Sequence, residues 1–225
     1  MGRSRSGSTT LRRMPPEPRF VPRFAAEPPQ EHLPYGRWAE RLQEEFLAAC
    51  LRIDTEESGE IGEVDDIAWF PDRTWHGRTY IPASAPTSTG LELFGYVSFI
   101  RGTAEDGEPT GFDAHADATS ETAALNPEWT IDLCDEEIGA WRGEGGNVAT
   151  MTLVWGRPLV AGGAIATAEL ARLCVDQCEL ADGRFTLLAP DDYRGDTLDV
   201  ALYDAKGTQV ARESLYEEDD ETEEA

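Results

Sequence analysis

Residues 196–216 read DTLDVALYDAKGTQVARESLY, and this stretch sets the fold class. Leu198, Val200 and Leu202 alternate with polar or small residues, Asp204-Ala205-Lys206-Gly207 supplies a turn, and Val210 leads a second run to Tyr216. Two period-two runs flanking a Gly-containing turn predict a β-hairpin. The pattern recurs upstream at 66–70 (DIAWF), 78–82 (RTYIP), 91–100 (LELFGYVSFI), 128–133 (EWTIDL), 149–155 (ATMTLVW), 164–176 and 184–189 (RFTLLA). Clusters such as PDRTWHG, SAPTSTG and PDDYRGD punctuate these runs. Many short strands separated by Gly, Pro and Asp predict a mainly β protein, an antiparallel β-sandwich of immunoglobulin-like or jelly-roll-like type.

One helix breaks the pattern. From Arg37 to Ile53 the apolar residues Trp38, Leu42, Phe46, Cys50 and Ile53 recur every three or four positions, which makes one apolar stripe. Pro34 bars an earlier start, and Asp54 to Gly59 end it. Residues 103–126 are acidic and poor in large apolar groups, and they read as a long loop with one helical turn near 120–125. The expected organisation is a basic Pro/Arg-rich tail over 1–33, a helix and β-rich segment over 34–126 ending in that loop, a β-sandwich segment over 127–216, and an acidic tail over 217–225. The two middle segments form either one domain or two.

Charge is the outlying property. The 225 residues carry 44 acids against 19 bases, a formal net charge of −25, with 40% hydrophobic residues and a mean hydropathy of −0.45. Six arginines and Glu17 alone occupy residues 1–25, whereas 217–225 hold seven acids and no base. The intervening body keeps 13 bases and 36 acids. A field of that sign repels nucleic acid and anionic membranes, so neither is expected as a partner. No apolar run reaches the ~18 residues of a spanning helix. The N-terminus lacks the apolar core of a secretory signal, and its Ser/Arg-rich opening reads as a basic tail, with a mistaken start before Met14 or an organellar transit sequence as the other readings. Without an export signal, Cys50, Cys134, Cys174 and Cys178 read as reduced thiols of a cytoplasmic protein. Cys174 and Cys178 on one strand would stand about 13 Å apart, too far for a disulfide.

The stretch 69–82, WFPDRTWHGRTYIP, concentrates aromatic and charged groups between strands. Trp75, His76, Arg78 and Tyr80 are its candidate binding residues, because aromatics and arginine dominate binding hot spots and suit flat ligands such as sugar rings. Trp69 and Tyr80 are expected to be at least half buried, and Trp75, His76 and Arg78 largely exposed. Asp72 sits four residues before His76, the spacing of an oriented general base, yet nothing nominates a nucleophile to accompany it. Asp113, His115 and Asp117 alternate, so an extended backbone would put them on one face as weak metal-ligand candidates. The acids at 191, 192, 196 and 199 read as a turn or a loop cation site. Aromatic residues recur beside Gly and Arg, as at Trp141-Arg142-Gly143 and Trp155-Gly156-Arg157, which suggests arginine stacking or carboxylate bridging. No nucleophile elbow, phosphate loop or metalloprotease motif is present, and no cofactor is expected. The leading expectation is a non-enzymatic interaction protein or accessory subunit with a protein partner. A carbohydrate- or small-molecule-binding sandwich and a metal- or His-dependent enzyme are the alternatives.

Overall fold

The computed structural model describes residues 38–54, 59–102, 108–143, 146, 148–193 and 195–216. The tails expected over 1–33 and 217–225 lie outside the described residues. Helix α1 runs Ala39–Cys50 and buries Leu42, Phe46, Ala49 and Cys50, the stripe its spacing implied. Among the described residues twelve strands follow, all paired antiparallel.

The first sheet has the order β1-β3-β4-β5, with β2 paired to β3. Its strands are β1 (Ala68–Trp69), β2 (Arg73–Trp75), β3 (Arg78–Pro86), β4 (Glu92–Ile100) and β5 (Thr110–Thr119). The second sheet has the order β10-β7-β6, from β6 (Ile131–Arg142), β7 (Val148–Pro158) and β10 (Phe185–Asp191). The third has the order β12-β11-β8-β9, from β8 (Ile165–Leu170), β9 (Leu173–Glu179), β11 (Leu198–Tyr203) and β12 (Gln209–Ser214). The described residues thus form a mainly β, antiparallel fold with one helix, and its sheets pack face to face.

Alternation along each strand assigns the layers. Ile81, Ala83 and Ala85 of β3 pack with Leu42 and Phe46 of α1, while Tyr80 joins Met151, Leu153 and Trp155 of β7. On the other face of the second sheet, Val154, Phe185 and Leu187 pack against Ala168, Val200 and Leu202 of the third. The order is helix, first sheet, second sheet, third sheet. Strands β7 and β10 are therefore covered on both faces, and even their threonines Thr152 and Thr186 are buried.

Three local expectations need correction. Residues 110–119 are not loop: they form β5, in register with β4 from Glu92↔Thr119 to Ser98↔Asp113. Small alanines on its covered face (Ala114, Ala116, Ala118) fit beneath α1, so the strand carries little of the bulk that announces one. The single strand expected over 164–176 is two strands, turned at Ala171 and Arg172, both at positive φ. Residues 128–130 precede β6, which begins only at Ile131. The 204–207 turn does close its hairpin: Asp204 Oδ1 accepts the Lys206 and Thr208 amides at 2.8 Å each, and Gly207 takes φ 81°.

A buried polar junction ties the three sheets. Arg73 of β2, 2% exposed, pairs with Asp176 of β9. The same carboxylate accepts the Leu188 amide of β10 at 2.9 Å, and the Cys178 thiol meets the Thr186 amide beside it. Side chains of β9 thus satisfy the edge of β10 that faces away from β7.

Candidate functional site

The residues singled out in 69–82 divide between surface and core. His76 and Gly77, at φ 51° and 75°, make the two-residue turn between β2 and β3, the conformation favoured by hairpin twist. His76 is exposed there, and its ring stacks 4.4 Å from that of Trp75. Trp75 is half-buried: a Cβ placed on Gly139 of β6 would stand 2.5 Å from its ring, so the bare glycine makes room for the indole. Arg78 is half-exposed and donates both terminal nitrogens to the Gly111 carbonyl, at 2.7 and 2.8 Å. Tyr80 is buried, edge-on to Tyr96 at 5.5 Å. Trp69 is half-buried against Phe46. Asp72 is 2% exposed and pairs with Arg101 at 2.7 Å, so it is not the orienting partner of His76.

Asp113, His115 and Asp117 do share the exposed face of β5. That face borders β6, where Glu136 Oε1 lies 2.8 Å from His115 Nε2. Tyr96 completes the flank, its ring 6.0 Å from His115, and burial with Tyr80, Glu136 and Asp113 nearby pushes its hydroxyl up to about 12. The structure therefore brings the two sequence-nominated groups to one flank between the first and second sheets. Among the described residues no set of three His, Cys, Asp or Glu side chains has a metal-binding arrangement. Burial raises all four thiols, Cys50 and Cys178 to about 11, so none is poised as a thiolate at neutral pH. Among the described residues arginines stand over Phe112, Phe99 and Phe70, and several bridge carboxylates, including Arg157 to Asp132 at 2.8 Å.

Sequence reading missed a concavity on the far side of the second sheet. A groove of about 1160 Å3 opens between β6, the β8–β9 turn, the 195–197 loop and the end of β12. Trp129, Ile131, Leu133 and Leu215 give it apolar wall, and Glu121, Asp135, Asp196, Asp199 and Glu213 give it charge. Arg172 is the sole cation among its lining residues. Two carboxylates are engaged: Asp199 pairs with Arg212, and Glu213 Oε1 accepts the Thr130 amide at 3.0 Å. Among the described residues Glu121, Asp135 and Asp196 have no cationic partner. Tyr216 at the rim donates its hydroxyl to Asp191, a carboxylate 1% exposed that also accepts the Leu198 amide at 2.9 Å. Asp191 thus stands at the start of the expected turn, which the Tyr193–Asp196 bridge closes, and it also holds Tyr216 beyond the last strand. The signal for the groove was distributed over segments some 90 residues apart, from 121 to 216, and only the third sheet's packing joins them.

Carboxyls are costly here. Asp135 is raised by burial and then by Asp191 and Glu137, Glu136 by burial against the opposing pull of His115, and Glu92 by burial and Asp132. A carboxyl raised in the folded state binds its proton more tightly there, so its contribution is complete below the unfolded value and lost as pH rises through the folded one. The melting temperature should therefore climb as pH falls from neutrality toward the carboxylate range, and Asp135→Asn should flatten part of that slope. A melting temperature that falls over the same interval would mean that paired carboxylates dominate instead.

Comparison with protein-family models, curated proteins and solved structures finds no match to this chain.

Proposed function

We propose that the protein is a non-catalytic interaction protein, an accessory component that takes a lysine- and arginine-rich segment of a protein partner in the groove beside β6. The carrying observation is a groove of about 1160 Å3 whose apolar wall is ringed by five carboxylates and one arginine. Guanidinium groups pair carboxylates through two parallel hydrogen bonds and stack on aromatic faces, and Trp129 offers such a face. Tyr216 is among the lining residues, and the body's own 36 acids against 13 bases favour the approach of a cationic segment.

The cytoplasmic assignment goes with this reading: the four cysteines are unbridged, in keeping with a reducing compartment. Among the described residues no helix is long and apolar enough to cross a membrane. A sugar-binding platform at Trp75, His76, Arg78 and Tyr80 has less support, since Tyr80 is buried and Trp75 leans on Gly139. An enzyme built on His115 has its Glu136 partner but no activated thiol to work with.

The test is fluorescence anisotropy with labelled octa-arginine at low salt. Glu121→Gln/Asp135→Asn/Asp196→Asn should weaken binding, by about tenfold for a groove that stands open, as ion pairs of up to about 1 kcal/mol each allow, while leaving the circular dichroism spectrum intact. A control removing three exposed acids elsewhere, Glu40→Gln/Glu60→Gln/Glu179→Gln, should have little effect. Equal losses in both variants would reduce the groove to bulk charge and end this reading.

A further inference from the structure

We propose that the groove's resident occupant is the chain's own arginine-rich N-terminal segment, residues 3–23, which a basic partner must displace. This rests on the reading of the groove as a site for basic peptide. Arg3, Arg5, Arg12, Arg13, Arg19 and Arg23 stand against Glu17 alone, and all lie before α1. The body they belong to holds 36 acids and 13 bases over residues 26–216, and its bases are largely committed. Arg41, Arg73, Arg101, Arg157 and Arg212 are in ion pairs, and Arg52, Arg78 and Arg184 donate to the carbonyls of Ala114, Gly111 and Trp69. Within this molecule the N-terminal segment is thus the concentrated source of cation that complements Glu121, Asp135 and Asp196.

The reach suffices. Helix α1 begins at Ala39 on the outer face of the first sheet, and the groove lies on the far side of the second. Packed sheets are about 10 Å apart, so the path spans a few tens of ångströms. The stretch from Arg23 to Trp38 covers up to about 50 Å when extended. Arginine also matches the apolar wall, since its stem covers apolar surface while its head pairs with carboxylate. Tethering supplies the rest: a linked segment experiences an effective concentration on the order of 1 mM, enough to fill a site of modest affinity.

Occupancy in cis makes the N-terminal arginines competitors of any basic ligand. The experiment compares labelled octa-arginine binding by three full-length proteins: the wild type, a variant with all six N-terminal arginines changed to Gln, and that variant carrying Glu121→Gln/Asp135→Asn/Asp196→Asn. Removing a competitor at about 1 mM from a site with a dissociation constant on the order of 10–100 μM should tighten probe binding about ten- to a hundredfold. The groove substitutions should abolish that gain, which separates it from the change in net charge. If the six-Gln variant binds no tighter than wild type while the groove substitutions still weaken binding, self-occupancy is overturned and the groove reading survives. If the groove substitutions change nothing in either background, both readings fall. Sedimentation analysis checks the geometry: wild type should stay monomeric, and a salt-sensitive dimer lost in the six-Gln variant would place the segment in a neighbouring copy and overturn occupancy in cis.

Discussion

Asp176→Ala is expected to destabilise the protein by about 3–5 kcal/mol, the usual consequence of stranding a buried charge. The carboxylate holds the Arg73 guanidinium, which is 2% exposed, and takes the Leu188 amide at 2.9 Å. Its loss leaves a cation and a backbone donor without partners in a region water cannot reach. In a chain of this size each kcal/mol is worth about 2–4 °C, so the melting temperature should drop by roughly 6–20 °C. Arg73→Met alone should cost less, because an unpaired carboxylate on β9, 10% exposed, keeps the Leu188 amide. The double variant Arg73→Met/Asp176→Leu should recover much of the loss, as replacing both partners of a buried pair by apolar groups often does. With Asp176→Leu as the second single variant the cycle closes, and additive losses across it would show that the two side chains do not act as a pair.

Trp155→Ala should cost about 3–5 kcal/mol, the range for truncating a large buried aromatic. The indole is fully buried between the first and second sheets, among Phe70, Tyr80, Leu153 and Leu188. Its centroid lies 6.5 Å from that of Phe94, which links β7 to β4. The indole nitrogen has no hydrogen-bond partner among the described residues. Trp155→Phe therefore forfeits volume but no hydrogen bond, and should cost well under half as much, since exchanging one apolar shape for a similar one is usually held below about 1.5 kcal/mol. Chemical denaturation of the three proteins measures both differences. A phenylalanine variant as unstable as the alanine one would mean that the nitrogen is bonded and the packing argument fails.

What the sequence disclosed follows from how each element meets solvent. Helix α1 and the 198–214 hairpin each have one wet and one dry face, so Leu42, Phe46 and Cys50, or Leu198, Val200 and Leu202, stand out by spacing. Strand β5 hid because its covered face is alanine and its open face is acidic, which is also the composition of a loop. The β8–β9 turn hid because Ala171 and Arg172 adopt positive φ without the Gly or Asn that ordinarily marks it. The third layer hid because β7 and β10 are dry on both faces, while threonines such as Thr152 and Thr186 gave them the alternation of a strand with one wet face. For the site, alternation rightly put Asp113, His115 and Asp117 on one face, and the convergence of His115 with Glu136 needed the second sheet. Tyr80 was nominated for the same aromatic character that places it in the core. The groove was invisible because none of its segments is unusual alone.

The order in which strands enter the sheets bears on how the chain is made. The first sheet is complete at Thr119, built almost wholly from neighbours in sequence and closed on one side by α1. The second and third sheets interleave: after β7 the chain leaves for β8 and β9, and only then returns with β10. Such returns close longer loops and form more slowly than adjacent hairpins. A chain emerging N-terminus first can therefore finish its helix-backed sheet early, with Phe70, Tyr80 and Phe94 uncovered until β6 and β7 arrive. During that interval it presents a bare apolar face while residues 1–119 carry 20 acids against 12 bases, and the resulting net charge of −8 sets a mutual repulsion between nascent chains against premature association.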